Sequence, residues 1–307
     1  MQRLPDQLYF FGLLPALAAL PRGPAYWLAR RLGWALAKGH PQTRKILLEN
    51  FSALPDNQKT ALSSLVRDCF EHLACEDLDA YYYPFWSPKN LASYFDVSGR
   101  EHLDLALDRG KGAILLTGHL GPVCAGMVAL GILGYPVHHV ARDYREETSI
   151  EPAFRDFALV KIRWMESKMG RPLIFAHRGD TPNSARAVLE IRQALASNQL
   201  VSMAMDVVPS WVNDAIAVSF LGGRYRFTSS LVRLAHACQC PVIPYFDFRD
   251  SHSWFRHRLE ILPPLELSGQ LEADVQRCAD QLQSAIHKDP AQWFSWDSLT
   301  QFAADPG

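Results

Sequence analysis

The sequence predicts an α/β fold: a single large domain with a mixed, mainly parallel sheet flanked by helices, plus an N-terminal helical extension. Apolar strand-like runs alternate with longer helical stretches from residue 97 onward, as in folds that place parallel strands between helices. The chain has 307 residues, 48% of them hydrophobic, which is enough to bury one large core. A difference in charge separates residues 1–50, the helical segment, from residues 51–307, the α/β domain.

Two apolar stretches in the N-terminal segment favour association with a membrane surface. Leu8–Leu20 is uncharged for 13 residues and contains Pro15, whereas a spanning helix needs about 20 residues. Tyr26–Lys38 combines Trp27 and Trp34 with basic residues, which is typical of a helix lying in a membrane interface. An ordinary amphipathic helix packed on the domain is the alternative.

Charge is unevenly distributed along the chain. Residues 1–50 contain seven Lys or Arg and two acidic residues, a net charge of +5. The whole chain has a net charge of −1, so residues 51–307 carry −6. A basic segment suits an anionic bilayer surface, where each cation contributes about 1 kcal/mol. The near-zero total gives no indication of a nucleic-acid partner.

The six cysteines form no C-x-x-C pair and no regular framework. This pattern favours reduced thiols in a cytosolic compartment. We also find no cluster of metal-ligating residues and no phosphate-cradling glycine loop, so the sequence predicts neither a metal nor a cofactor.

The predicted strands are short apolar runs, at 113–117, 136–141, 173–176, 200–205, 217–220, 241–248 and 259–262. The predicted helices of the domain have apolar residues at helical spacing, at 123–133, 152–169, 182–197, 229–237 and a final stretch from Leu271 to Ile286. Thr181 followed by Pro182 is a helix-start signal.

Residues 112–130, GAILLTGHLGPVCAGMVAL, organise the chain. Ala113–Thr117 is predicted as a buried strand, and Gly118, Gly121 and Pro122 end it before a second apolar run. His119 therefore lies on a turn between a strand and a helix, where α/β folds bind ligands. A neutral imidazole there acts as a general base; the alternative is a structural histidine.

This stretch resembles the first motif of the bacterial lipid A late acyltransferases, which are lysophospholipid-acyltransferase-like enzymes. Their pattern is a His, four residues and then an Asp or Glu; here His119 and Cys124 occupy the two positions. Similar blocks follow in the family's order, so the resemblance covers most of residues 25–297: Arg142, Asp206 (followed by Val207 where the family has Gln), Phe220 with Gly222 and Thr228, Pro241 and Pro244 before Arg249, and Pro290 with Gln292 and Trp293.

The resemblance implies an acyltransferase, with His119 as a catalytic residue and substrate contacts at Arg142, Asp206 and Arg249. Cys124, which departs from the family's pattern, is a second candidate catalytic residue. Its donor would be an acyl-carrier-protein or CoA thioester, and its acceptor a hydroxyl or amine of a lipid or a carrier-bound molecule. It would be peripheral on the cytoplasmic face of a bacterial inner membrane. An acyl thioesterase and a noncatalytic lipid-binding or assembly protein are the alternatives.

The cysteine in place of the motif acid leaves three hypotheses open. His119 works with a carboxylate from elsewhere, such as Asp206 or Asp143, and Cys124 has no chemical role. Alternatively, Cys124 is a nucleophile activated by His119 at the start of a helix, and the acyl chain passes through an enzyme thioester. In the third hypothesis the site is degenerate and noncatalytic.

Overall fold

The computed structural model describes residues 3–145, 150–177, 181–212 and 214–304. Its α-helices are α1 (Arg3–Leu8), α2 (Leu14–Ala18), α3 (Arg22–Gly39), α4 (Pro41–Asn50), α5 (Leu62–Ala80), α6 (Arg100–Asp108), α7 (Val123–Ile132), α8 (Pro152–Met169), α9 (Pro182–Ala196), α10 (Ser230–Cys238) and α11 (Leu271–Lys288). Its strands are β1 (Phe95–Ser98), β2 (Ala113–Thr117), β3 (Val137–Arg142), β4 (Ile174–Ala176), β5 (Leu200–Ala204), β6 (Ala215–Phe220), β7 (Gly223–Thr228), β8 (Val242–Arg249) and β9 (His257–Ile261).

Seven strands form one sheet in the order β1-β9-β8-β2-β5-β3-β4. All neighbours are parallel except β8 and β9, which are antiparallel. The predicted α/β fold with a mixed, mainly parallel sheet is therefore confirmed. Strand β2 lies near the centre, and all five of its residues are buried because helices cover both faces of the sheet.

The sheet separates two apolar cores, and alternate residues of β2 face each of them. Ile114 and Leu116 belong to one core, whereas Ala113 and Leu115 belong to the other, as the two-residue period of a strand requires. This double burial explains why β2 has a continuous apolar sequence rather than an alternating one.

Several predicted elements agree with the structure, but the sequence analysis missed others. The helix predicted at 152–169 is present as α8, and the side chain of Thr181 caps α9 by accepting a hydrogen bond from the backbone N–H of Ser184. Strands β1 and β7 and helix α6 were not predicted. The strand predicted at 217–220 pairs with β7 in a separate hairpin, whose turn contains Leu221 and Gly222 at positive φ.

The N-terminal apolar stretch is broken into three short helical pieces. Residues Tyr9–Leu13 form a π-helix between α1 and α2, and Pro15 lies in the first turn of α2. Proline has no backbone N–H to continue the hydrogen-bond ladder, which explains an irregularity at this place. Among the described residues, no helix combines the length and apolar character that crossing a membrane requires.

Helix α3 packs closely against α5 of the domain. A β-carbon at Gly33 would overlap the backbone of Phe70, so the two helices touch at their backbones. Tyr26 and Ala29 of α3 are buried, and Arg30 forms an ion pair with Glu71 at 2.7 Å. One face of α3 is therefore part of the protein interior.

Candidate active site

The turn that carries His119 is built around glycine. Strand β2 ends at Thr117, and α7 begins at Val123. Gly121 has φ of +60°, a conformation that favours glycine, and a β-carbon there would overlap the carbonyl oxygen of Asp247. The sequence thus dictates a tight turn that brings His119 to the carboxyl edge of the sheet.

The C-terminal part of the chain braces this turn. The backbone N–H of Gly121 donates to the carbonyl of Gln292 at 2.7 Å, and the N–H of Phe294 donates to the carbonyl of His119 at 2.8 Å. These two bonds hold the backbone on both sides of Leu120. The position of the imidazole therefore depends on residues about 170 positions away in the sequence.

Asp206 is the partner of His119. It lies just beyond β5, and because β2 and β5 are parallel neighbours their carboxyl ends meet at the same edge. One carboxylate oxygen, Oδ1, lies 2.9 Å from Nδ1 of the imidazole. The backbone N–H of His119 also donates to the carboxylate, at 2.8 Å to Oδ2. Asp206 thus fixes both the backbone and the ring of His119.

Two further side chains donate to the Asp206 carboxylate. The indole Nε1–H of Trp293 donates to Oδ2 at 2.8 Å, and the hydroxyl of Ser295 donates to the same oxygen at 3.3 Å. The Asp206 side chain has no solvent exposure. A buried carboxylate is stable when its oxygens accept several hydrogen bonds, so this one is held in a single orientation.

Charge coupling sets the protonation of the pair. The Asp206 carboxylate raises the pKa of His119 to about 8, against the opposing effect of burial. Burial alone would raise the pKa of Asp206, but the His119 ring and the hydrogen bonds hold it below its usual value. Because an ionised carboxylate only accepts hydrogen bonds, Nδ1 carries a proton and Nε2 remains for chemistry.

The His119 ring is accessible. Its side chain is 51% exposed, unlike the buried residues on either side of the turn. Close to it, His139 of β3 lies 3.4 Å from the Ser202 hydroxyl through Nδ1. Burial and the positive charge of His119 lower the pKa of His139 to about 3, so the second imidazole is neutral beside the first.

Cys124 is the second residue of α7 and is partly buried. Burial raises the pKa of its thiol, and an interaction with the Lys161 side chain only partly offsets that effect. No hydrogen bond joins Cys124 to His119 in the part of the chain that the structure describes. The helix start therefore does not make this thiol acidic.

The three remaining candidate residues from the sequence, Arg142, Asp143 and Arg249, lie in different surroundings. Arg142 is the last residue of β3, beside β5, and its guanidinium stacks 4.2 Å from the ring centre of Trp211. Asp143 does not contact His119; it forms an ion pair with Arg145 at 2.7 Å. Arg249 ends β8 at the same edge of the sheet, but its side chain is 1% exposed and bonded to Asp79.

The sequence did not indicate which side chains donate hydrogen bonds to Asp206 or which side chain binds the backbone of Arg249. The resemblance marked Gln292 and Trp293 only as part of a similar block, without a role. In the structure, the side-chain amide of Gln292 bonds both the N–H and the carbonyl of Arg249, at 2.8 and 3.0 Å. The only signal for these roles was the position of the block in the chain.

The fold and the site define a class of protein: an α/β protein with a histidine–carboxylate pair at the carboxyl edge of parallel strands, suited to general-base chemistry. The family model described as bacterial lipid A biosynthesis acyltransferase matches residues 5–297, nearly the whole chain, and the protein belongs to this family. Comparison with curated proteins finds no match. Family membership implies an acyltransferase of lipid biosynthesis.

Proposed function

We propose that the protein transfers a fatty acyl chain from an acyl-carrier-protein or CoA thioester to a hydroxyl or amine of a lipid A-like or specialised acceptor. The observation that carries this proposal is the His119–Asp206 pair. Asp206 holds Nδ1–H, so Nε2 is directed to chemistry on a ring that is half exposed. The proposed transfer uses this nitrogen as its general base.

In this mechanism Nε2 takes the proton of the acceptor as its oxygen or nitrogen attacks the thioester carbonyl. The tetrahedral intermediate then collapses, the carbon–sulfur bond breaks, and the imidazolium returns the proton to the leaving thiolate. Asp206 stabilises the imidazolium between these steps by its negative charge. This supports the hypothesis that a carboxylate from elsewhere serves His119 and that Cys124 carries no acyl group.

Of the three residues expected to contact a substrate, one keeps that role in this proposal and two receive other roles. Arg142 lies at the carboxyl edge beside Asp206's strand, and we propose that it contacts a phosphate of the donor or the acceptor. Asp206 acts through His119 rather than on a substrate. Arg249 is buried against Asp79, and we propose that it supports the β8 end of the site.

The experiment that tests the function combines purified protein with an acyl-carrier-protein thioester and a panel of lipid and carrier-bound acceptors, followed by mass spectrometry. An acylated acceptor supports the proposal. Free fatty acid alone would indicate a thioesterase, in which water replaces the acceptor. Neither product, with palmitoyl-CoA tested as a second donor, would favour a noncatalytic lipid-binding protein.

We further propose that residues 1–50 attach the protein to the cytoplasmic face of the inner membrane. Exposed apolar side chains occur along this segment: Leu8, Phe11, Leu13, Leu20, Trp27, Leu36 and Leu48. Exposed cations accompany them, with Arg31 lying 5.4 Å from the ring centre of Trp27. Apolar area together with basic charge is what binds a peripheral helix to anionic lipid.

Substitutions test this attachment better than a deletion, because deleting α3 would uncover α5. We expect Leu8→Ala/Trp27→Ala to weaken binding to phosphatidylglycerol-containing vesicles by about tenfold. High salt should weaken wild-type binding as well. The matched control is Leu105→Ala/Leu189→Ala, which truncates two exposed apolar side chains elsewhere. Equal loss in both proteins would contradict the proposal.

A further inference from the structure

Three consecutive residues far from β2 in the sequence fix the His119–Asp206 pair. The indole of Trp293 and the hydroxyl of Ser295 donate to Oδ2 of Asp206, at 2.8 and 3.3 Å. Between them, the backbone N–H of Phe294 donates to the carbonyl of His119 at 2.8 Å. The position of these three residues therefore sets the geometry of both members of the pair.

The three residues belong to a C-terminal stretch, residues 290–302, that forms two short 3-10 helices, Pro290–Gln292 and Phe294–Phe302. An isolated β-bridge between Leu120 and Trp293 links this stretch to the turn after β2. Such a bridge fixes fewer backbone groups than a paired strand does. The C-terminal stretch therefore depends on further contacts to keep its place.

Asn50, the last residue of α4, makes one of these contacts. Its side-chain Nδ2 donates to the carbonyl of Trp296 at 2.5 Å, although the two residues are 246 positions apart in the sequence. The next residue, Phe51, meets the Trp296 ring edge-on, with the ring centres 4.9 Å apart. All three residues are buried. Because a buried carbonyl without a donor is unfavourable, this bond holds the C-terminal stretch against α4.

Trp296 passes the constraint on to Trp293. Their rings pack edge-on with centres 4.9 Å apart, and both side chains are buried. The indole N–H of Trp296 also donates to the carbonyl of Pro290 at 2.7 Å, which joins the two helices of the C-terminal stretch. Large rings in a close-packed interior do not shift independently. A displacement of Trp296 therefore moves the indole that donates to Asp206.

Helix α4 can hold this position because one of its faces is part of the protein interior. Leu47 is buried in the same core as Trp293 and Trp296, whereas the neighbouring Leu48 is exposed. Although α4 lies within residues 1–50, its inner face thus reaches the support of the candidate site.

We propose that Asn50 is a positioning residue for the general base. Its side-chain amide holds the carbonyl of Trp296, and so places Trp293 and Ser295 where both donate to Asp206. This inference rests on the proposed function, because the pair requires a fixed geometry only if its imidazole takes the proton of the acceptor. Asn50 contacts no substrate in the proposed mechanism and acts through the C-terminal stretch.

The first test is an NMR measurement on full-length protein labelled with ¹⁵N at tryptophan, without substrate. The indole signal of Trp293 is assigned from the Trp293→Phe variant. Asn50→Leu removes the donor to Trp296, so the indole should lose part of its charge-assisted hydrogen bond. We expect its proton signal to move upfield and its exchange with water to become faster. Asn50→Ser, whose side chain is too short to reach the carbonyl, should change the signal in the same direction.

The second test separates kcat from KM. In Asn50→Leu we expect kcat to fall about tenfold, while the KM for the thioester stays close to the wild-type value. The reason is that a displaced base slows the chemical step without weakening the binding of the donor. In Asn50→Leu/Trp293→Phe the loss should be smaller than the product of the two single losses, because both changes act on the same hydrogen bond.

The matched control is Asn90→Leu, which removes the same kind of bond, from an asparagine Nδ2 to the carbonyl of Phe85 at 2.9 Å, in the loop before β1. It should leave the Trp293 signal and kcat unchanged. Equal changes in the control would indicate general destabilisation and contradict the proposal, as would independent, multiplying losses in the double variant.

An unmoved Trp293 signal in Asn50→Leu and Asn50→Ser would overturn the proposal, and so would a moved signal with unchanged kcat. Should Asn50→Leu fail to fold, Asn50→Ser answers both questions. Because the NMR measurement uses no substrate, a failure of this inference is distinguished from a failure of the proposed acyl transfer.

Discussion

Two histidine–aspartate pairs lie close together in this protein and differ in their access to solvent. The open pair is His119 with Asp206, at the carboxyl edge of β2 and β5. The sealed pair is His257 of β9 with Asp247 of β8, whose facing atoms Nδ1 and Oδ2 are 3.3 Å apart. The open imidazole is 51% exposed, whereas the sealed imidazole has no exposure.

The surroundings of the two carboxylates differ as much as their exposure. Asp206 accepts hydrogen bonds from a backbone N–H, an indole and a hydroxyl, and its pKa lies below its usual value. Burial dominates at Asp247 and raises its pKa. The Asp247 side chain also lies against Gly126 of α7. The sealed pair therefore packs against the helix that follows the open pair.

The two pairs show that residue type alone does not define a candidate catalytic pair. Both pairs contain an imidazole and a carboxylate at the ends of neighbouring strands. The open pair has a ring nitrogen directed to an accessible space, and the sealed pair is enclosed with Asp79 and Arg249. We therefore expect changes in the first to alter turnover and changes around the second to alter stability.

The largest expected effect is that of His119→Ala. Loss of the general base should lower kcat/KM by about 10²- to 10⁴-fold, with little change in the thermal unfolding midpoint, because the ring is half exposed. Acylated product measured by mass spectrometry reports the activity. The control is His252→Ala, an exposed histidine on a separate loop. Retention of more than about a tenth of the wild-type activity would remove His119 from the base role.

Arg249→Met should affect the free energy of unfolding most strongly. It leaves the Asp79 carboxylate buried and uncompensated, and loss of one partner of a buried pair costs about 3–5 kcal/mol. Urea unfolding measures this loss, and Asp79→Asn/Arg249→Met should regain part of it. A raised KM for the thioester with unchanged stability would instead support the expectation that Arg249 binds substrate.

Asp206→Asn should lower kcat/KM on the order of 10²-fold and shift its pH dependence. Wild-type activity should increase with pH up to about 8, because only the neutral imidazole accepts a proton and the pKa of His119 is about 8. Without the carboxylate charge the pKa falls, so the acidic limb moves to lower pH. Trp293→Phe removes one donor to Asp206 and serves as the milder comparison. An acidic limb of kcat/KM that stays at the wild-type pH in Asp206→Asn would show that the Asp206 charge does not control the protonation of His119.

The smallest expected effect is that of Cys124→Ser, which should leave kcat/KM within about threefold of wild type because the thiol is neutral. Intact-protein mass spectrometry after incubation with donor and no acceptor should show no acyl adduct. A hydroxylamine-sensitive adduct in wild type, absent in Cys124→Ser, would instead establish a covalent intermediate and a role for the thiol that the open pair does not explain.

Local sequence determined a large part of this architecture. The apolar run at 113–117 became the central strand, and the glycines after it formed the turn that exposes His119. The helix from Pro152 to Met169 has the predicted bounds. These features depend on short-range physics, namely burial of a continuous apolar run, the conformational freedom of glycine and the spacing of apolar residues on a helix.

Some elements lacked such a signal. Strand β1 has only four residues, and their burial alternates weakly. It is stabilised by pairing with β9, about 160 residues later in the sequence, and such pairing leaves no local pattern. The hairpin of β6 and β7 likewise joins a predicted strand to one that was not predicted, because its partner sequence GRYRFT contains charged residues that face solvent.

The composition of the candidate site depends on both the sequence and the tertiary structure. The sequence alone established His119 on a strand–helix turn, the cysteine in place of the motif acid and a block around Trp293. The tertiary structure shows that Asp206, and not Asp143, is the partner of His119. It also shows that the Arg249 side chain is buried and that Glu76 forms an ion pair with Lys161. The physical reason is that strand order determines which distant side chains meet at the edge of a sheet, and strand order is not encoded in any local pattern.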